Sequence, residues 1–212
     1  MGLEGLRLAV PRGALMGETL DLLDTLGVDT AEVRSNDRKL LFEDAGIVTM
    51  RPSDVPTYVE AGAADLGITG KDVLAEQSER SVYELLDLGF GPCRMVFATV
   101  DGDDPAAEAL RRLGVMRVAT KYPKVAGAHF LERGISVEVV RLAGSVELAP
   151  GLGLSDCIVD VVETGRTLEE NGLEQVEDVA SSSARLIVNR ASYHARRDEV
   201  GRLVDTLGKA RA

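Results

Sequence analysis

Two α/β lobes with mainly parallel sheets around a cleft are what this chain of 212 residues predicts. Three observations carry that expectation. Short apolar runs of strand length alternate throughout with apolar residues at helical spacing. The alternation passes through two cycles, divided at Gly89-Phe90-Gly91-Pro92, the strongest break in the chain. A last β-rich run and an amphipathic helix then stand where a chain returning to its first lobe would place them. The lobes are therefore expected to span 1–91 with 184–212, and 92–183. Ligands of such folds sit in the cleft.

Leu6 to Val10 reads as the first strand, and Leu15, Thr19, Leu22, Leu23 and Leu26 repeat at helical spacing until Gly27 stops them. Gly46 to Met50 is a second strand. Ser53-Asp54-Val55-Pro56 supplies a cap and an early proline for a helix that ends near Gly62. Asp65 to Ile68 is a strand leading into Thr69-Gly70-Lys71-Asp72, where residues three apart form a capping box. Leu85 to Leu88 closes the first cycle. The second cycle holds strands at Met95 to Val100, Arg117 to Thr120, Val137 to Val140 and Cys157 to Val162. Its helices are expected from Asp104-Pro105 to Leu113 and from Val125 to Glu132. Ala184 to Asn189 and a helix from Ser192 to Ala210 complete the first lobe.

Composition narrows the function. Hydrophobic residues make up 45% and charged residues 28%, as in ordinary globular proteins. A net charge of -11 argues against nucleic-acid binding, which needs basic surface to neutralise phosphates. An anionic ligand must then be held locally, by backbone N–H groups, helix N-termini and a few Arg or Lys side chains. Cys93 and Cys157 lie far apart in apolar sequence and read as core thiols in a reducing compartment. The start has no apolar signal region, and no apolar run approaches a membrane span, so a cytoplasmic protein is expected. His129 and His194 fall within predicted helices without metal-ligand spacing and read as structural; no protein metal site is predicted.

The most informative stretch runs from Cys157 to Leu173: apolar Cys157-Ile158-Val159, then Asp160, Val161-Val162, and Glu163-Thr164-Gly165-Arg166-Thr167 before a helical pattern. A strand entering a loop with Gly, Arg and two Thr residues, followed by a helix, is a phosphate cradle: glycine lets N–H groups converge, and hydroxyls and guanidinium add donors. A bare Thr-Gly-Arg-Thr serves equally as a capped strand-to-helix turn. Asp160 discriminates, because a carboxylate in an apolar strand needs partners. It is either a buried structural acceptor or a group that grips ribose hydroxyls below a 5-phosphate.

This stretch resembles the phosphoribosyl pyrophosphate loop of the ATP phosphoribosyltransferases. The segments Arg51 to Val59, Ala63 to Leu74, Arg117 to Pro123 and Gly144 to Pro150 resemble further motifs of that family in the family's order, so the likeness spans nearly the whole chain. The resemblance implies that Glu163, Thr164, Gly165, Arg166 and Thr167 hold the 5-phosphate and that Asp160 takes the ribose hydroxyls. It implies that Arg38, in the loop Ser35 to Leu40, stabilises the leaving pyrophosphate; read without the resemblance, that loop is a solvated charge run. After the first strand the family commonly shows Lys-Gly-Arg, whereas this chain has Pro11-Arg12-Gly13-Ala14-Leu15. Arg12 can stand in for the lysine, with Gly13 beside it; Ala14 cannot replace an arginine.

The implied reaction is attack by N1 of the ATP adenine on the anomeric carbon of 5-phosphoribosyl 1-pyrophosphate, with inversion and loss of pyrophosphate, the first step of histidine biosynthesis. Mg²⁺ would bridge the pyrophosphate oxygens, and Lys71 would join Arg12 and Arg38 as a cation. The chain ends after the helix from Ser192, which implies the short form of the family, without a histidine-binding module. Such forms pair with a regulatory subunit similar to histidyl-tRNA synthetase, here expected around a homodimer. Two rivals share parts of this pattern: a solute-binding module, since the expected architecture is like that of type II periplasmic binding proteins, and a phosphoribosyltransferase for another acceptor such as a nucleobase.

Overall fold

The computed structural model describes the chain except residues 1, 2, 4, 78, 101, 103, 106, 109–113, 211 and 212. The helix expected from Asp104 to Leu113 lies largely outside the described residues. In chain order the strands are β1 (Leu8–Pro11), β2 (Leu41–Phe42), β3 (Ile47–Met50), β4 (Leu66–Gly70), β5 (Val82–Asp87), β6 (Cys93–Val100), β7 (Met116–Thr120), β8 (Val137–Arg141), β9 (Cys157–Val162), β10 (Leu173–Ser182) and β11 (Ala184–Asn189). The chain forms two compact units, Met1–Pro92 with Ser183–Ala212, and Cys93–Ser182.

The first unit is built on a six-stranded sheet in the order β2-β3-β1-β4-β11-β5. Strand alternation sorts its side chains. Leu8 and Val10 face a core with Leu23, Ile47, Ile68 and Leu186, closed by Val200, Leu203 and Leu207 of the helix Arg197–Ala210. Ala9 points the other way, toward Met50, Ile187 and the helix Val55–Glu60. Val55 and Val59, one turn apart on that helix, are fully buried, which contributes about 2 kcal/mol each.

The second unit has a five-stranded sheet, β10-β6-β9-β7-β8, covered on both faces. Cys157 and Val159 of β9 pack with Phe130 of the helix Pro123–Glu132. Ile158 and Val162 pack on the opposite side with Val146, Ala149 and Leu168. Those last residues bring in the short helices Leu148–Gly151 and Arg166–Glu170.

The sheets are mixed rather than mainly parallel. Four pairings of the described strands are parallel, all involving β1 or β7, and five are antiparallel. Four of the five involve the strands next to the connections between the units, since β6, the first strand of the second unit, and β11, which returns to the first, run against their neighbours; the fifth is the β2–β3 pair. The capping box at Thr69 does not form. Thr69 is fully buried and donates to the Pro52 carbonyl at 2.9 Å, leaving Gly70 at the N-cap of Lys71–Glu76. In the stretch Ser53-Asp54-Val55-Pro56 the N-cap position falls to Asp54, with Pro56 in the first turn as expected. The last helix is two, Arg190–Ala195 and Arg197–Ala210, because Arg196 leaves helical geometry and its guanidinium donates to the Gly5 carbonyl at 2.8 Å. Cys93 is half-buried at the start of β6, outside the core that holds Cys157.

Candidate functional site

In the second unit the candidate residues follow one another along β9 and its exit. Asp160 is two residues from both Ile158 and Val162, so it belongs to their sheet face, which carries the helix Arg166–Glu170. It is half-buried, lies opposite Val96 of β6, and its Oδ1 accepts the Val161 N–H at 2.8 Å. Val162 and Leu168, both buried, anchor the two ends of the loop. Between them Glu163, Thr164, Arg166 and Thr167 are exposed. Gly165 has φ +85°, a region that L side chains rarely adopt, and occupies the N-cap of the helix. Its carbonyl accepts from Leu168 and Glu169 N–H groups at 3.0 and 3.2 Å, which fixes the turn.

The polar side chains of this loop have little structural employment. Thr164 Oγ1 meets the Arg166 N–H at a long 3.5 Å. Arg166 pairs with Glu170 at 2.8 Å, one turn on, with side chains 82% and 61% exposed. A pair so exposed holds almost nothing together, leaving the guanidinium able to turn to an anion. Glycine conformation, hydroxyls and a mobile cation at the mouth of a strand suit a phosphate group.

In the first unit the structure joins residues that are separate in sequence. Arg12 follows β1; its N–H donates to the Met50 carbonyl at 2.7 Å and its Nη2 donates to the Asp37 carbonyl, 25 residues on. Asp37 and Arg38 lie in a turn built by Asn36, whose Oδ1 accepts from Arg38 N–H and Lys39 N–H at 3.2 and 3.1 Å. Lys39 is occupied by Glu32 at 2.6 Å and lies over the Phe42 ring. Arg38 is exposed, and its guanidinium pairs with no carboxylate among the described residues. Gly13, with φ +91°, accepts the Met16 N–H and opens the helix Met16–Thr25. Ala14 is exposed.

Lys71 is held differently. Its ammonium meets Glu84 at 2.6 Å, and Glu84 also takes Arg185 at 3.3 Å, which reaches Asp87 at 3.0 Å. Sequence reading missed this network and the Asn36 turn. Thr or Asn before charged residues is a weak turn signal, and cross-strand pairs need the register. His129 sits in the core, its Nε2 2.9 Å from Glu177 Oε1, with Arg133 on the other oxygen at 3.0 Å. Burial works to raise the Glu177 carboxyl, but the bonds from Arg133 and His129 together outweigh it and hold it below the usual range. Burial, with Asp156 nearby, pushes the Cys157 thiol up to about 12, so it is no nucleophile. Among the described residues no three His, Cys, Asp or Glu side chains converge as a metal site.

A family model described as HisG, ATP phosphoribosyltransferase, matches residues 51–209. The ATP phosphoribosyltransferase of Rubrobacter xylanophilus is 48% identical over 210 residues, which covers 98% of this chain and 97% of the relative. A solved ATP phosphoribosyl transferase (HisG:HisZ) complex from Thermotoga maritima superimposes with a TM-score of 0.81 at 37% identity, over 96% of this chain and 97% of that one. The alkanesulfonate-binding protein SsuA from Xanthomonas axonopodis pv. citri has a TM-score of 0.56 at 14% identity, over 97% of this chain and 72% of that one, a likeness of fold alone, and the fold is that of a two-lobed binding protein.

Proposed function

Because this chain belongs to the ATP phosphoribosyltransferase family, it joins ATP to 5-phosphoribosyl 1-pyrophosphate in histidine biosynthesis, and we propose how its residues divide that work. N1 of adenine is already a nucleophile, so the protein must position two polyanions and stabilise the charge that grows on pyrophosphate as the anomeric C–O bond breaks.

The loop Glu163 to Thr167 holds the 5-phosphate: Thr164 and Thr167 give hydroxyls, Gly165 lets the backbone approach, and Arg166 exchanges Glu170 for the phosphate. Asp160 accepts from the ribose hydroxyls. The observation that carries this assignment is the half-buried carboxylate at the end of a packed strand, directly before a loop whose polar groups are exposed. Arg12 and Arg38 meet the leaving pyrophosphate, with Gly13 giving the turn between β1 and its helix. Lys71 binds a substrate anion by trading it for Glu84. Mg²⁺ would enter as the metal complex of the substrate pyrophosphate and would help to neutralise its growing charge beside Arg12 and Arg38.

The Thermotoga maritima relative is complexed with HisZ. We assign this chain, as a homodimer, a partner of that kind, similar to histidyl-tRNA synthetase, which would carry histidine feedback across an interface. A cytoplasmic site of action is part of this proposal; no helix among the described residues is long and apolar enough to cross a membrane. The test is to mix the purified chain with 5-phosphoribosyl 1-pyrophosphate, Mg²⁺ and either ATP or free nucleobases, and to follow N1-(5-phosphoribosyl)-ATP by absorbance near the adenine band. Product with ATP alone is expected; product with a free base overturns the acceptor. A histidine titration with and without the partner tests regulation, with inhibition expected only when the partner is present.

A further inference from the structure

The segments that lead out of the first unit and back into it are stapled together. Leu88 N–H donates to the Ala184 carbonyl at 2.8 Å, and Ala184 N–H donates to the Phe90 carbonyl at 3.0 Å. The Asp87 carboxylate accepts Gly89 N–H at 2.8 Å and the Ser183 hydroxyl at 2.9 Å. One further bond joins this staple to the Arg12 segment: Gly91 N–H donates to Glu18 Oε2 at 3.0 Å, across 73 residues. Gly91 has φ +57°, a conformation that favours glycine, and it packs so closely on the Leu15 side chain that a Cβ there would lie 2.1 Å from Cδ2 and push that methyl group aside. Leu15 is the N-cap residue and Glu18 a first-turn residue of the helix Met16–Thr25. The Arg12 segment is thus fixed at its entry by Met50, at the guanidinium by the Asp37 carbonyl, and at its exit by Gly91.

We propose that Glu18 is a positioning residue for the transfer reaction: by accepting the Gly91 N–H it clamps the crossover on Leu15 and sets the aim of Arg12. This rests on the pyrophosphate role given to Arg12 above. A carboxylate acceptor makes a strong bond to an amide, and the hydroxyl of Thr19, the next residue, ties back to the Leu15 carbonyl at 2.6 Å, stiffening the same turn. Glu18 also sits at the positive end of its own helix, a purely structural benefit that depends on its charge. Glutamine separates the two effects, since it keeps the acceptor oxygen and loses the charge.

The experiment compares Glu18→Ala and Glu18→Gln, each alone and in an Arg12→Ala background, by steady-state kinetics with ATP and 5-phosphoribosyl 1-pyrophosphate and by hydrogen exchange at the Gly91 amide. Glu18→Ala is expected to lower kcat roughly tenfold with both KM values little changed, short of the ~hundredfold that a 1 Å misplacement can cost. Glu18→Gln should restore most of kcat and the protection of the Gly91 amide. In the Arg12→Ala background Glu18→Ala should add nothing, because its effect passes through Arg12. Parent kinetics in Glu18→Ala, failure of glutamine to rescue, or losses that multiply in the double variant would each overturn the proposal alone. Parent kcat in Arg12→Ala would instead overturn the role of Arg12, and the proposal with it.

Discussion

The loop after β9 and the Arg12–Arg38 corner are built in opposite ways. The loop is one continuous stretch, anchored by Val162 and Leu168, with its polar groups contributed by neighbours in sequence. The corner draws on three segments, the exit of β1, the end of β3 through Met50, and the Asn36 turn, and backbone carbonyls join them. Continuous sites survive as motifs, because local geometry alone makes them. Assembled sites depend on the sheet being complete, and their residue types look ordinary when read in line.

The assembled corner should be the more fragile in catalysis. Arg38→Ala is expected to lower kcat on the order of a hundredfold while KM for ATP moves little, as for loss of one preorganised charge stabiliser. Steady-state kinetics decide it; a change confined to KM would make Arg38 a binding residue and bring the two regions closer in kind.

The loop should fail in binding instead. Gly165→Val forces a β-branched residue into a left-handed conformation and should weaken donor affinity by roughly tenfold or more, the value of about one charge-assisted hydrogen bond. Thr164→Ala, which removes a hydroxyl, should cost several-fold less, with thermal stability almost unchanged. Calorimetric titration with 5-phosphoribosyl 1-pyrophosphate measures both, and unaltered affinity in the pair would dismiss the phosphate cradle.

Asn36→Ala sharpens the comparison further. It removes the acceptor of two backbone N–H groups and loosens the turn that presents Arg38, so kcat should fall by about a factor of a few, less than for Arg38→Ala. Equal losses in the two variants would mean that the turn, rather than the assembly around it, makes the corner.

The smallest effect is expected away from both regions. The Glu177 carboxyl titrates lower in the fold than in the unfolded chain, so it adds stability above the usual carboxylate range, and that increment is lost as pH falls through its folded value. Glu177→Gln should therefore lower Tm near neutral pH, with the gap to the parent closing in acid, and should leave kcat alone. A kinetic effect would tie the His129–Glu177 pair to the site.

Much of the fold was legible because the strands of the two sheets are apolar and bounded by turn residues: Cys157–Val162 and Ala184–Asn189 have the limits that their composition suggests. β10 was not. Glu174, Glu177 and Asp178 interrupt its apolar pattern, and two register shifts against β6 break the alternation on which strand reading depends. Thr69 looks like a cap in sequence and is a buried donor in the fold, since the Pro52 carbonyl has the better claim on it. Strand direction was misjudged for a similar reason, because periodicity does not record whether a partner runs forward or back. Of the candidate residues, the loop after β9 was readable as a local unit, whereas the bond from Arg12 to Asp37 and the pairing of Lys71 with Glu84 exist only once distant strands are in place.

The position of β11 bears on how the chain is made. It lies between β4 and β5, and among the described residues β5 pairs with no other strand, yet β11 begins only at Ala184. On the ribosome the first unit therefore waits with a broken sheet and open strand edges, while Cys93–Ser182, continuous in the chain, has all its strands and can close first. The second unit to be encoded is the first able to finish, and the earliest residues synthesised depend on some of the last.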